Sequence, residues 1–407
     1  MTQNVLTFIM AGGKGERLLP LTQHRAKPAV PFGGVYRIID FTLSNCVNSG
    51  FRKIHVLTQY KSISLLRHLR LGWNIFDPQL DEYIDIIHPQ QRIDDHWYQG
   101  TADSIFQNVY TIEMEKPEHI LILAGDHVYK MNYAEMVDFH NKKGADVTIA
   151  AVEMAKEKSV EFGVFEVDEN SRVMGFSEKP EKPRTIPGRP DLIYASMGIY
   201  LFNTKVLEQE LEKDAKVKES THDFGKDVIP SMVRNKCKVF VYNFKDENKK
   251  EAKYWRDIGT RDAYYEANMD LVQVSPVFNL YDKDWPIRTY QEQFPPAKFV
   301  FAQEEPSGRL GIALDSLVSN GCVVSGGRLQ RSILSPDVRI NSYSLVEDSI
   351  LMEGVDVGRH AKIRRAIIDK DVKIPQGTVI GYDLEADKKR FRVSRGGVVM
   401  VEKGAIL

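Results

Sequence analysis

From about Ser316 onward, aliphatic residues return at intervals of five or six: Val318, Val324, Leu329, Leu334, Ile340, Val346, Leu351, Val357, Ile363, Ile368, Ile374 and Ile380. Gly, Ser, Asn, Asp and Pro fill much of the space between them. An α-helix repeats every ~3.6 residues and a strand every two, so neither produces this pattern. A parallel β-helix does: three short strands make each coil, and each aliphatic side chain points into a stacked interior. About four coils of roughly 18 residues are expected.

The first two-thirds of the chain reads differently. Val5–Met10, Ile54–Leu57, Ile120–Ala124 and Val147–Val152 are short Ile/Val/Leu-rich runs, expected as buried parallel strands. Between them Ser62–Leu71, Asp103–Glu115 and Tyr133–Lys143 carry helical spacing, the last with Asn132 as N-cap and Gly144 as stop. Strand and helix in alternation predict a Rossmann-like, mostly parallel α/β sheet covered on both faces. Such sheets bind ligands beyond the carboxyl ends of their strands. Residues 275–311, with Pro276, Pro286, Pro295, Pro296 and Pro306, read as an extended linker between a domain over 1–274 and the β-helix over 312–407.

Composition excludes several function classes. At 407 residues the chain can hold two cores, and 43% hydrophobic with 27% charged residues is ordinary for a globular protein. A formal net charge of −1 gives no global field for nucleic acid or anionic lipid. Cys46, Cys237 and Cys322 form no Cys-x-x-Cys pair, which suggests reduced thiols and no zinc site. No charged leader precedes the first apolar run, which is too short for a signal or a span. A cytoplasmic protein is expected.

One loop points to phosphate chemistry. The first strand stops at Ala11-Gly12-Gly13-Lys14-Gly15, and Arg17, Arg25 and Lys27 follow. Backbone amides freed of side-chain bulk, backed by cations, suit a polyphosphate. The loop is not a P-loop, because no Gly-Lys-Ser/Thr closes it, and Leu18 replaces the third glycine of the dinucleotide fingerprint. Taken alone it also fits a tight strand-to-helix turn. Asp126 in LILAGDHVYK ends a strand at the ligand edge, as an N-cap or as a metal ligand. Asp257 in YWRDIGT is a second carboxylate at a strand end, and two converging carboxylates would suit Mg²⁺. Lys179, with Glu178 beside it and Ser196 in YASMGIY, would offer a cation, an anion and a hydroxyl to a sugar phosphate. Otherwise it is a solvated surface charge. Tyr98, Gly100 and Thr101 stand before a helix whose N-terminus would face substrate, while Trp97 reads as loop packing.

Together these segments resemble the nucleotide-sugar pyrophosphorylases, most closely the bacterial glucose-1-phosphate adenylyltransferases. AGGKGERLLPLT, RAKPAVPFGGVYRIIDFTLSN, WYQGTADS, ILAGDHVYKM, EFGVF, EKP, ASMGIYLF, HDFGKDVIP, YWRDIGT and WPIRTY follow that family in order. The resemblance implies that the β-helix is left-handed, that Gly12, Gly13, Gly15 and Tyr98 line the nucleotide, and that Arg17 and Lys27 meet its phosphates. It implies Mg²⁺ on Asp126 and Asp257, with Arg17, Lys27 and Asp126 catalytic. Glucose 1-phosphate would lie on Tyr98, Gly163, Glu178, Lys179 and Ser196. ATP and small-molecule effectors are the implied partners, in a homotetramer, with a paralogous regulatory subunit as a further possible partner. Glu16 and His24 depart from the pattern, so Glu16 is expected to face away from phosphate, and the effector is left unnamed. His24, Arg25 and Arg37 form a basic cluster near the domain boundary. Two alternatives stand beside this reading: a bifunctional uridylyltransferase and acetyltransferase, for which His360 is the β-helix's single histidine, and a non-catalytic regulatory subunit.

Overall fold

The computed structural model describes residues 4–90, 96–246, 251–303 and 308–407; Pro306 of the expected linker lies outside them. The N-terminal part is built on a nine-stranded sheet. Val5–Met10 lies at its centre, paired in parallel with Lys53–Leu57 on one side and His119–Ala124 on the other. Tyr83–Ile87 extends the sheet in parallel beyond Lys53–Leu57.

Beyond His119–Ala124 the pairing changes. Leu192–Asn203 inserts antiparallel between His119–Ala124 and Val147–Ala155, and Val239–Asn243 closes that edge in parallel. The four anticipated strands therefore all run the same way, yet Val147–Ala155 owes that direction to a reversed neighbour. Alternate residues of the central strands feed two apolar cores. Val5, Ile9, Leu121 and Leu123 join one, while Leu6, Phe8, Ile120 and Ile122 join the other.

The helices are close to expectation. Ile63–Gly72 and Tyr133–Lys143 form, the latter with Asn132 Oδ1 accepting from the Ala134 N–H at 3.1 Å and Gly144 left-handed. The stretch expected as one helix over Asp103–Glu115 is two, Thr101–Phe106 and Val109–Glu115. Asn108 sits at the break, where its Nδ2 donates to the Ser104 carbonyl at 2.8 Å and to the Tyr98 hydroxyl at 3.0 Å. A side chain competing for backbone acceptors ends a helix in this way.

The C-terminal part is a β-helix of three parallel ladders. Val324, Ile340, Val357 and Ile374 stack in one, Leu329, Val346, Ile363 and Ile380 in the second, and Val318, Leu334, Leu351 and Ile368 in the third. The five-to-six-residue period is thus one residue per face of the prism. Lys298–Val300 pairs with Val323–Ser325, so the stretch read as linker also contributes to the first coil.

Residues upstream of that strand run extended against the helix Ile38–Asn48. Ser44 Oγ accepts from the Arg288 N–H at 2.8 Å, Asn45 Oδ1 from Trp285 Nε1 at 2.9 Å, and Asn48 Nδ2 donates to the Pro286 carbonyl at 2.9 Å. The two domains share a third apolar core, in which Leu18, Phe32, Phe41 and Tyr264 meet Ile333, Ile350, Ile367 and Met400. Among the described residues, no helix is long and apolar enough to cross a membrane.

Candidate functional site

The glycine loop leaves the carboxyl end of the central strand and turns at Gly15, where φ is +66°. A Cβ there would fall 2.9 Å from Thr22 Cγ2, so both backbone sign and space call for glycine. Thr22 Oγ1 closes the turn by donating to the Gly15 carbonyl at 2.8 Å. Gly12 backs onto Gln59, whose Cβ lies 3.1 Å from where a side chain would begin, whereas Gly13 faces open space. Glu16 and Arg17 are both exposed.

Asp126 follows the strand His119–Ala124 on the same edge. The chain then doubles back, and His127–Tyr129 pairs antiparallel with Trp255–Asp257, which sets Asp257 opposite His127. Ligand atoms of Asp126, His127 and Asp257 consequently lie within 4.8 Å of one another. Lys27 Nζ stands between the carboxylates, 2.6 Å from Asp126 Oδ2 and 3.4 Å from Asp257 Oδ1. A Cβ on Gly259 would meet Asp257 Oδ2 at 2.9 Å and Arg17 Nη2 at 3.3 Å, so the guanidinium and this carboxylate crowd the same glycine. The anticipated pair of acids and both cations are together.

Their charges reinforce one another. Burial opposes the charge on Lys27, but Asp126 and Asp257 outweigh it and hold its pKa above the ordinary lysine value. Burial likewise opposes ionisation of Asp126. Lys27, then His127 and Arg17, overcome this and bring it down to about 2. Asp126 is therefore ionised at any physiological pH. A pair of adjoining carboxylates, with a cation already shared between them, is an oxygen-donor set suited to a hard divalent ion.

A second group is built on the strands Gly163–Val167, Val173–Glu178 and Leu192–Asn203. Gly163 pairs with Glu178, and a Cβ at Gly163 would overlap Phe176 at 2.4 Å, so only glycine fits beneath that ring. Lys179 has φ of +50° and donates its N–H to the Phe162 carbonyl at 3.1 Å, which turns its side chain back toward Glu178 (Nζ to Oε1, 3.6 Å). Ser196 precedes a bulge in Leu192–Asn203 where Gly198 is left-handed and lies near His127 Cε1. That bulge sets Gly198, two residues after Ser196, against His127, the neighbour of Asp126.

Tyr98 is half-buried, and burial raises the pKa of its phenol. Its carbonyl accepts from Gln59 Nε2 at 3.4 Å, which ties it to the glycine loop. Trp97, expected to pack the loop, is exposed and stacks on Tyr60 with ring centroids 6.0 Å apart.

Several residues here were not singled out from sequence. Tyr200 contacts Ser196 through its hydroxyl. Burial, followed by the nearby Asp223 and Glu178 charges, raises its pKa. Asp223 accepts from Thr101 Oγ1 at 3.0 Å while Thr101 Oγ1 accepts from the Phe224 N–H at 2.9 Å, a latch joining two loops distant in sequence. The period-two alternation of YASMGIYLF was the one available signal for Tyr200, since it puts that residue on the same face as Ser196.

At the domain boundary a cavity of about 440 Å³ is lined by His24, Arg37, Arg67, Lys370 and Lys403, among others. Arg25 also borders it but is committed elsewhere: it is buried and paired with Asp369 at 2.9 Å. Burial lowers the pKa of both Arg37 and Lys370 against the opposing pull of nearby acids, Asp40 and Glu353 on Arg37 and Glu353 on Lys370, and Glu353 also lines the cavity. His360 lies exposed at a coil corner, stacked on Tyr343.

Residues 6–274 match the model of the nucleotidyl transferases, and residues 295–401 match that of the GlmU-like C-terminal hexapeptide. A glucose-1-phosphate adenylyltransferase of Rhodopirellula baltica is 55% identical, covering 100% of this chain and 92% of the relative. Proteins of the same name from Koribacter versatilis and an Anaeromyxobacter species are 56% and 54% identical, each over 98% of this chain and over 95% and 98% of their own. Identity at this level over both domains leaves one assignment: the chain belongs to the nucleotidyl transferases and, within them, to the glucose-1-phosphate adenylyltransferase family.

Proposed function

We propose that this protein transfers the adenylyl group of ATP to α-D-glucose 1-phosphate, giving ADP-glucose, the donor for glycogen (α-1,4-glucan) synthesis, and pyrophosphate. One observation carries the reading: two acids and a lysine meet at the sheet's ligand edge beside a glycine loop, in a chain half-identical to adenylyltransferases.

In this reaction a sugar-phosphate oxygen attacks the α-phosphorus of ATP. That oxygen is already ionised at neutral pH, so the protein needs no general base. It has to bring two anions together and neutralise charge at the phosphorus and the leaving group. Gly12, Gly13 and Gly15 would present backbone N–H groups to the nucleotide, with Arg17 and Lys27 on its phosphates. Asp126 and Asp257 would hold Mg²⁺. The ion would supply charge neutralisation at the phosphate oxygens. Lys179 would pair with the sugar phosphate, Glu178 and Ser196 would take sugar hydroxyls, and Tyr98 would wall the site between both substrates.

Residues 1–274 would then form the catalytic domain, 275–311 the linker, and 312–407 an assembly and regulatory domain. We place the enzyme in the cytoplasm as a homotetramer. Small anionic effectors would enter the basic cavity at the domain boundary, and a paralogous regulatory subunit remains compatible with this arrangement. Purified protein given ATP, Mg²⁺ and glucose 1-phosphate is expected to release pyrophosphate without any partner. Equal or better turnover with UTP or dTTP would overturn the nucleotide assignment. No turnover without a partner would favour the regulatory-subunit alternative.

A further inference from the structure

Arg25 and Asp369 form an ion pair that joins the two domains inside the protein. They are 5% and 2% exposed, and both guanidinium Nη atoms lie 2.9 Å from the same carboxylate oxygen. The β-helix holds Asp369 firmly, because its N–H donates to the Val401 carbonyl at 2.9 Å and its Oδ1 accepts from the Lys370 N–H at 2.7 Å. A buried pair of this kind is seldom more stabilising than apolar residues of the same size. Stability is therefore a poor reason for it, and its location suggests a better one.

Arg25 stands two residues before Lys27, which opens the short 3-10 turn Lys27–Ala29 with Pro28 at its second position. Ala26 between them is buried, its N–H donates to the Lys61 carbonyl at 3.2 Å and its carbonyl accepts from the Ala29 N–H at 3.0 Å, so Arg25 and Lys27 hang on one pinned stretch of backbone. On the far side, Tyr264 lies within the field of both charges and donates its hydroxyl to the Pro31 carbonyl at 2.5 Å. Tyr264 belongs to the helix Arg261–Met269 that follows Asp257, and Ser394 of the β-helix bonds Asp262 in that helix's first turn. The β-helix therefore grips the segments that carry Lys27 and Asp257.

We infer that Asp369 is a positioning residue for adenylyl transfer: through Arg25 it sets where the Lys27 ammonium stands between Asp126 and Asp257. This rests on the function proposed above and assigns the β-helix a part in the active site itself.

The test uses the full-length protein without effectors, comparing Asp369→Asn, the paired apolar variant Arg25→Met/Asp369→Leu, and Lys27→Met. It measures kcat, both KM values, Tm, and Mn²⁺ binding by electron paramagnetic resonance. Asp369→Asn is expected to lose about 10- to 100-fold in kcat with each KM changed by less than about threefold, the signature of misplacement rather than lost binding. Lys27→Met removes the cation competing for the carboxylates and should tighten Mn²⁺ binding, and Asp369→Asn should move it the same way. The paired variant is expected to regain Tm while its kcat stays low. Unchanged kcat and Mn²⁺ affinity in Asp369→Asn, or recovery of both together with Tm in the paired variant, would overturn the inference. Should Asp369→Asn not fold, the paired variant decides alone: native Tm with low kcat supports positioning, and native kcat refutes it. If the wild type makes no ADP-glucose the reaction assignment fails, while the Mn²⁺ comparison still tests the placement of Lys27.

Discussion

Replacing Asp40 by Asn should cost the catalytic domain more than any other single-atom-scale change in its frame. The Asp40 side chain is fully buried and accepts four hydrogen bonds. They come from the Arg37 N–H at 2.7 Å, His68 Nε2 at 2.6 Å, Trp73 Nε1 at 2.8 Å and Thr289 Oγ1 at 2.7 Å. These donors belong to the start of the helix Ile38–Asn48, to the end of Ile63–Gly72 and to the extended strap. An amide keeps one acceptor oxygen and turns an NH₂ toward the other donors, so at least two buried donors lose their partner. At about 1–3 kcal/mol for each of two unsatisfied groups, the loss is about 2–6 kcal/mol. Thr289→Val removes one donor and leaves the carboxylate three, so it should cost only about 1 kcal/mol. Urea unfolding followed by tryptophan fluorescence reports the difference directly, because Trp73 and Trp285 both flank the network. The midpoint should drop at unchanged slope. Equal costs for the two variants, or an Asp40→Asn protein within about 1 kcal/mol of wild type, would refute the claim that one carboxylate ties these three elements.

Four further outcomes are expected. Lys179→Ala should raise the KM for glucose 1-phosphate much more than that for ATP in steady-state assays, and an unchanged sugar-phosphate KM would remove it from the site. Asp257→Asn should lower kcat/KM by about 100-fold or more and weaken Mn²⁺ binding measured by titration, since one of two ligating charges is gone. Gly100→Ala would put a Cβ 2.1 Å from the His222 carbonyl oxygen, so it should destabilise the protein by about 2 kcal/mol and impair turnover. His140 is buried, and burial lowers its pKa from 6.5 to about 4. The unfolded chain therefore takes up a proton that the folded one refuses, and stability falls as pH drops through that window. Between pH 7 and pH 5 the loss is about 2 kcal/mol, and His140→Gln should flatten that slope in denaturation curves.

Some of this architecture was written in short stretches of chain. The β-helix was legible because its interior repeats every five or six residues, and each repeat meets only its counterparts in neighbouring coils. Asn132 and Gly144 were legible because a helix is capped by its own flanking residues. The break at Asn108 was not. It depends on Tyr98 as well as on Ser104, and helical periodicity carries no record of such a competitor. The antiparallel Leu192–Asn203 was missed for a related reason: its alternating burial marks a strand, but alternation reads the same in either direction.

Sequence alone therefore determined the two kinds of domain, the phosphate-type loop and the candidate acids, because periodicity, glycine placement and residue chemistry are local properties. Only the tertiary structure decided that Asp126 and Asp257 share one lysine, through the pairing of His127–Tyr129 with Trp255–Asp257. It alone brought Tyr200 and Asp223 beside Ser196 and Glu178, and locked Arg25 onto Asp369. These are contacts between segments far apart in the chain, chosen by burial and charge pairing across the folded whole, and no local pattern encodes them.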